Sequence, residues 1–94
     1  MTMWINSKMV TFYHTSPSDE WPCVVKIDED EILVEYQDEG LVQYRGKNRS
    51  DGHFELLAPK VTGHASLHMF PVAVGLVGNW IEGNEKGMWQ IELG

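Results

Sequence analysis

The sequence predicts an all-β domain: an antiparallel up-and-down meander of seven or eight strands closed into a small barrel, with one short helical turn near residues 16–21. Three observations carry this reading. Strand-like runs recur roughly every ten residues, with turn residues between them. Each run alternates apolar and polar positions with period two, and the apolar face of one run continues onto the next. Helical periodicity is nearly absent. Closure follows because a short open sheet would present unpaired edges. A strongly curled open sheet completed by a partner chain is the second reading.

The N-terminal part is the least regular. Residues 9–14 read as a strand, with 2–5 as a candidate hairpin partner over Asn6, Ser7 and Lys8. Next comes a helix-start signal. Ser16 suits an N-cap, Pro17 suits the first helical position, and Asp19 and Glu20 suit the positive end of a helix dipole. Pro22 ends that turn, and Trp21 anchors it across one end of the sheet.

The middle of the chain is a run of hairpins. A two-residue turn at Glu29 and Asp30 pairs Ile27 with Ile32, Val25 with Val34 and Cys23 with Tyr36 on one face. A three-residue turn at Asp38, Glu39 and Gly40 pairs Tyr36 with Val42 and Val34 with Tyr44, with Gly40 in the left-handed region. Residues 46–52 read as a polar loop. A four-residue turn at 59–62 then sets Leu56 opposite Ala65, Phe54 opposite Leu67 and Gly52 opposite Met69. Phe70 and Pro71 begin a bend, since proline lacks a ladder donor. Residues 74–81 and 87–93 form the closing hairpin. If Glu82 pairs with Gly87, Trp80 falls directly opposite Trp89.

Ninety-four residues make one domain, 1–94. Such a chain buries only about 60–65% of its unfolded surface. Apolar content of 43% and charged content of 22% are ordinary for a soluble protein. No apolar run approaches the roughly 18 residues of a membrane span, and the start of the chain lacks a signal-peptide pattern. A lone cysteine, Cys23, forms no internal disulfide; together these favour the cytoplasm. The net charge of −7 argues against nucleic acid and anionic membranes as partners.

Among the inward positions, Tyr36, Tyr44, Trp80 and Trp89 combine an apolar body with a polar tip. Near a barrel mouth they suit a small apolar or aromatic ligand, with Met69 adapting to its shape. They equally suit a filled core, because eight strands enclose an interior barely wide enough for side chains. A weaker constellation lies on the outer face. There His53 and His68 form a cross-strand pair, with Glu55 diagonal to them, as a candidate zinc site. His64 lies one pair further along, too far to share it. Arg45, Lys47 and Arg49 alternate, but they fall in the stretch read as a loop. The acidic run at 28–31 lacks the spacing of a calcium loop. No motif for a nucleophile, a phosphate-binding loop or a redox pair is present, and no cofactor is implied.

The segments Tyr44-Arg-Gly46, Gly52-His-Phe-Glu-Leu56, Gly63-His-Ala-Ser-Leu-His68, Gly78-Asn-Trp80 and Gly87-Met-Trp-Gln-Ile-Glu-Leu93 resemble small uncharacterised bacterial domains with a calycin-like barrel. Those domains are similar to trimmed lipocalins and avidins. The likeness covers roughly residues 40–93. It implies the barrel and hints at small-molecule binding, but it assigns no ligand-binding residue, and fold analogy does not establish function. The expected role is a small binding module. The alternative is a protein-interaction module with a filled core: an acidic inhibitor, an accessory factor or a homodimer. An enzyme built on His53, Glu55 and His68 is the third.

Overall fold

Eight antiparallel strands follow one another around a closed barrel in the computed structural model, which describes residues 2–15, 17–49, 52–69 and 75–94. They are β1 (Thr2–Tyr13), β2 (Asp19–Ile27), β3 (Glu31–Gln37), β4 (Leu41–Asn48), β5 (His53–Ala58), β6 (Gly63–Met69), β7 (Gly75–Glu82) and β8 (Glu85–Glu92). Each pairs with the next, and β1 closes the ring against β8. Among the described residues no helix is long and apolar enough to cross a membrane.

The alternation that predicted the strands also sets their faces. Val25, Val34, Tyr44, Leu56, Leu67, Leu76 and Ile91 are sealed from solvent at the centre. The hairpins of the middle have the expected registers. Ile27 pairs with Ile32, and that ladder stops at Val24 opposite Glu35, one step short of Cys23 and Tyr36. Tyr36 pairs with Val42 and Val34 with Tyr44. Leu56 pairs with Ala65 and Phe54 with Leu67, and the Met69 amide donates to the Gly52 carbonyl at 2.7 Å.

Four expectations are corrected. The N-terminal hairpin is absent: Thr2–Trp4 pairs with β2, within the single strand β1, and a bulge between Trp4 and Ser7 bends it. Ser7 serves that bulge, donating to the Trp4 carbonyl and accepting from the Gly94 amide. The helical turn is absent from residues 17–21, where Asp19–Trp21 instead extend β2; Ser16 lies outside the described residues. Pro22 is tolerated because β3 pairs with β2 only from Val24 onward, so no bond is lost on that side. The one short helical turn among the described residues is Pro59–Val61, closed by Thr62 in the left-handed region. Third, β4 runs through Gly46 to Asn48 rather than yielding to a loop, because Gly46 and Lys47 pair on both sides, with Ile32 and Leu56 and with Glu31 and Glu55. Lys47 thus stands in register between Glu31 and Glu55, on the same exposed face as Arg45.

Fourth, the closing hairpin turns through two residues, Gly83 and Asn84, so Glu82 pairs with Glu85 and Trp80 with Gly87. Trp89 then stands opposite Gly78. The slide is two residues, an even number, so every side chain keeps its predicted face. Residue 74 and the bend at 70–71 lie outside the described residues.

Candidate functional site

One end of the barrel gathers most of its aromatic side chains. It is formed by the C-terminal ends of β1, β3 and β7 and the N-terminal ends of β2 and β8. Here a recess of about 90 Å³ opens between Tyr13, Trp21, Tyr36, Trp80 and Trp89. Thr11 and three carboxylates, Asp38, Glu82 and Glu85, complete its wall. The recess lies where β2 runs on past its ladder with β3, and Trp21 leans across that gap to Tyr36 with ring centroids 5.9 Å apart.

The rings brace one another at steep angles. Tyr13 meets Trp80 edge-on at 5.7 Å, and Trp89 receives Tyr44 at 4.9 Å and Tyr36 at 6.2 Å, both edge-on. Trp80 and Trp89 are near-parallel, 6.3 Å apart. Such pairs add to area burial and hold each ring in one orientation. The Trp80 indole N–H donates to the Met88 carbonyl at 3.3 Å, so its polar tip is satisfied.

Glu82 is the polar centre. The Tyr44 hydroxyl donates to Glu82 Oε1 at 2.7 Å, and the Tyr36 hydroxyl reaches the same oxygen at 3.4 Å. Burial, reinforced by the Glu82 charge, raises both phenol pKa values well above normal, so both stay protonated and remain donors. Burial likewise raises Tyr13, with help from Asp19. Gly63 makes room for this arrangement: a β-carbon there would strike the Tyr44 hydroxyl.

Of the residues singled out for a ligand, Tyr36, Trp80 and Trp89 line the recess, and Tyr44 supports it through Glu82. Met69 does not belong. It ends β6 at the opposite end of the barrel, paired with Leu76, whereas the cavity end of β6 begins at Gly63 opposite Glu82. Sequence reasoning missed Tyr13, Trp21, Asp38, Glu82 and Glu85. A signal existed for Trp21, which continues the period-two stripe of Val25 and Cys23.

The histidine constellation lies on the outer face, and its members do meet. His53 Nδ1 is 3.1 Å from His68 Nδ1, and His53 Nε2 is 3.1 Å from Glu55 Oε1. His68 and Glu55 therefore approach opposite nitrogens of the His53 ring and cannot converge with it on one ion. Among the described residues no group of three or more His, Cys, Asp or Glu side chains is arranged to hold a metal. His64 is closer than its pairing suggested, with Nε2 3.4 Å from Glu55 Oε2. The Ser66 hydroxyl donates to the same oxygen at 2.7 Å. Ser66, then His53, lowers the Glu55 pKa below its usual value, making this a polar surface network.

Cys23 is buried on the inner face, and desolvation pushes its thiol up to about 11, which leaves it protonated and unreactive. No protein-family model, curated protein or solved structure matches this chain.

Proposed function

We propose that this chain is a small binding module, without catalysis of its own, that holds a compact apolar or aromatic group in the recess beside Glu82. One observation carries the reading: a recess of about 90 Å³ opens at one end of the barrel, lined by the rings of Tyr13, Trp21, Tyr36, Trp80 and Trp89 together with Thr11 and three carboxylates. A water molecule takes about 30 Å³ and a cavity of about 150 Å³ accepts benzene. The recess therefore takes a head group of a few heavy atoms, and the rest of a ligand stays outside. A calycin-like kinship is part of this proposal, supported by the eight-strand meander. So is a cytoplasmic setting, which suits a lone reduced thiol.

Tryptophan fluorescence tests the reading, because Trp80 and Trp89 form the wall. Titration with a panel of compact apolar, aromatic and charged probes should shift the emission and raise the melting temperature for at least one class. If no probe changes either, the recess is not a binding site.

A second observation favours the protein-interaction alternative. Phe12, Ile81 and Met88 are exposed on the outer wall and line a groove of about 480 Å³ across β1, β7 and β8. An apolar groove of this kind suits a second copy of the chain or another protein. Light scattering of the wild type and of Met88→Glu separates the cases: a dimer lost on substitution supports an interface there, and a monomer throughout removes the homodimer.

A further inference from the structure

Resting on the reading of the outer groove as a protein interface, we infer that its partner is an acidic segment of another protein: an amphipathic helix with carboxylates flanking an apolar stripe. Phe12, Ile81 and Met88 line the groove, and Leu57 stands two strands beyond Ile81 in the same cross-strand row. These are four of the seven large apolar side chains exposed among the described residues. A face of this kind marks a contact surface but does not by itself choose a partner.

Charge makes the choice. The registers align six positions of β3 to β8 in one row on the outer face: Leu33, Arg45, Leu57, His64, Ile81 and Lys86. The row alternates apolar side chains with basic or imidazole ones. It contains no carboxylate, although the chain holds 14 Asp and Glu against 7 Lys and Arg. The charged lining of the groove itself is likewise Lys86 with His14, and no carboxylate. Among the described residues neither Arg45 nor Lys86 is ion-paired, whereas Lys8 is paired with Glu20. Glu85 follows Glu82 onto the inner face and lines the recess, although it precedes Lys86 in the chain. Glu55, in the neighbouring row, already holds Ser66, His53 and His64.

A second copy meets this charge pattern badly. Docked about a twofold axis, it presents the same carboxylate-free row, and both copies carry −7. A flat anionic membrane brings its charge against the whole acidic chain, whereas a helix brings a few carboxylates to one row. The backbone sets the partner's form. β7 and β8 are paired on both sides, so this wall has no open edge to extend, and side chains must carry the contact. Residues of one kind recur in the row at every second strand, about 9.6 Å apart. Seven residues of α-helix rise about 10.5 Å. Carboxylates one heptad apart, with an apolar residue midway, therefore match Lys86, Ile81 and His64.

Two helical peptides of about 20 residues test the inference, one with glutamate and one with lysine flanking the same leucine stripe. Binding is read from the methyl resonances of Leu57, Ile81 and Met88. The net charge of −7 on its own favours the lysine peptide, so the two expectations are opposed. The glutamate peptide is expected to bind at least about tenfold more tightly. Arg45→Glu combined with Lys86→Glu should reverse that preference, with a melting curve confirming the fold.

Equal binding, or tighter binding of the lysine peptide, overturns the charge inference and leaves the interface standing. Unchanged affinity for the glutamate peptide in the double variant does the same. Binding of neither peptide by a protein that light scattering shows to be monomeric overturns both. A dimer lost in Met88→Glu assigns the groove to a second copy and overturns the inference. Binding to phosphatidylglycerol vesicles without binding of the glutamate peptide overturns it in favour of a lipid surface.

Discussion

Replacing Tyr44 by Phe isolates the strongest polar contact of the barrel mouth. The change removes one hydroxyl and keeps the ring, which is fully buried against Trp89. That hydroxyl donates to Glu82 at 2.7 Å, and a hydrogen bond to a charged partner contributes about 1.5–3 kcal/mol. Glu82 is only half-buried, so water replaces part of the loss and about 1–2 kcal/mol remains. An unfolding entropy of about 2.1 cal/mol/K per residue gives about 0.2 kcal/mol/K for 94 residues, or about 5 °C per kcal/mol. Tyr44→Phe should therefore melt about 5–10 °C below the wild type. Tyr36→Phe is the internal control. Its oxygen lies 3.4 Å from Glu82, beyond the usual range for such bonds, so about 2 °C is expected. Calorimetry at neutral pH measures both, and a double-mutant cycle of Tyr44→Phe with Glu82→Gln should return a coupling of about 1 kcal/mol. A loss under about 2 °C for Tyr44→Phe, a larger loss for Tyr36→Phe, or zero coupling would refute the assignment of Glu82 as the centre of the mouth.

Other expectations follow from the same geometry. Ser66→Ala removes the main cause of the lowered Glu55 pKa. A lowered folded value means stability that is present above the usual 4.5 and is lost as the pH falls through the folded value. The variant should thus be weaker in urea at pH 6 and equal to the wild type near pH 2; equal midpoints at both would contradict the hydrogen bond. Cys23, with its thiol pushed to about 11 and buried, should react with a disulfide reagent at pH 8 only as fast as the barrel opens. Rapid labelling of the native protein would place it at the surface. Gly87→Ala sets a β-carbon against the Phe12 carbonyl and 2.9 Å from Trp80 Cζ2. About 1–3 kcal/mol of destabilisation and a shifted tryptophan emission should follow, and an unchanged melting curve would reject the close packing. Zinc should leave the His53 and His68 resonances in place, since His68 and Glu55 occupy opposite nitrogens of His53.

The fold was legible because one apolar stripe per strand dominates β2 through β8. Residues such as Val25, Val34 and Leu56 could occupy only the inside, and their spacing fixed the hairpins. β1 was legible only over residues 9–14, and its continuity with residues 2–5 was hidden for the opposite reason. Its inward residues are Ser7, Met9 and Thr11, two of them polar, while Phe12 on the other face is exposed. A strand with its polarity reversed looks like a broken pattern. The helical turn at 16–21 failed because Pro17, Asp19 and Glu20 are local preferences worth a fraction of a kcal/mol to about 1 kcal/mol each. Pairing of Asp19–Trp21 with β1 outweighs them. The candidate site was half legible. Trp80 and Trp89 announced themselves, but Glu82 entered only as the last pair of the closing hairpin, and nothing in its spacing linked it to Tyr44.

The two-residue slide of the closing hairpin sets the level of each tryptophan at the mouth. With Trp80 directly opposite Trp89, both indoles would sit at one level. The observed register drops Trp89 one inward layer, opposite Gly78, where it meets Tyr44 and becomes the floor. Gly87 takes its place opposite Trp80. Without a side chain there, the Trp80 ring comes close over the β8 backbone and meets Tyr13 edge-on. Both registers bury the same residues, so core packing alone does not choose between them. The tight Gly83–Asn84 turn does, because Gly83 takes the positive φ of 60° that a two-residue hairpin demands. The fold's stability and the shape of its mouth are therefore set by different residues, and the mouth depends on two glycines that contribute nothing to the core.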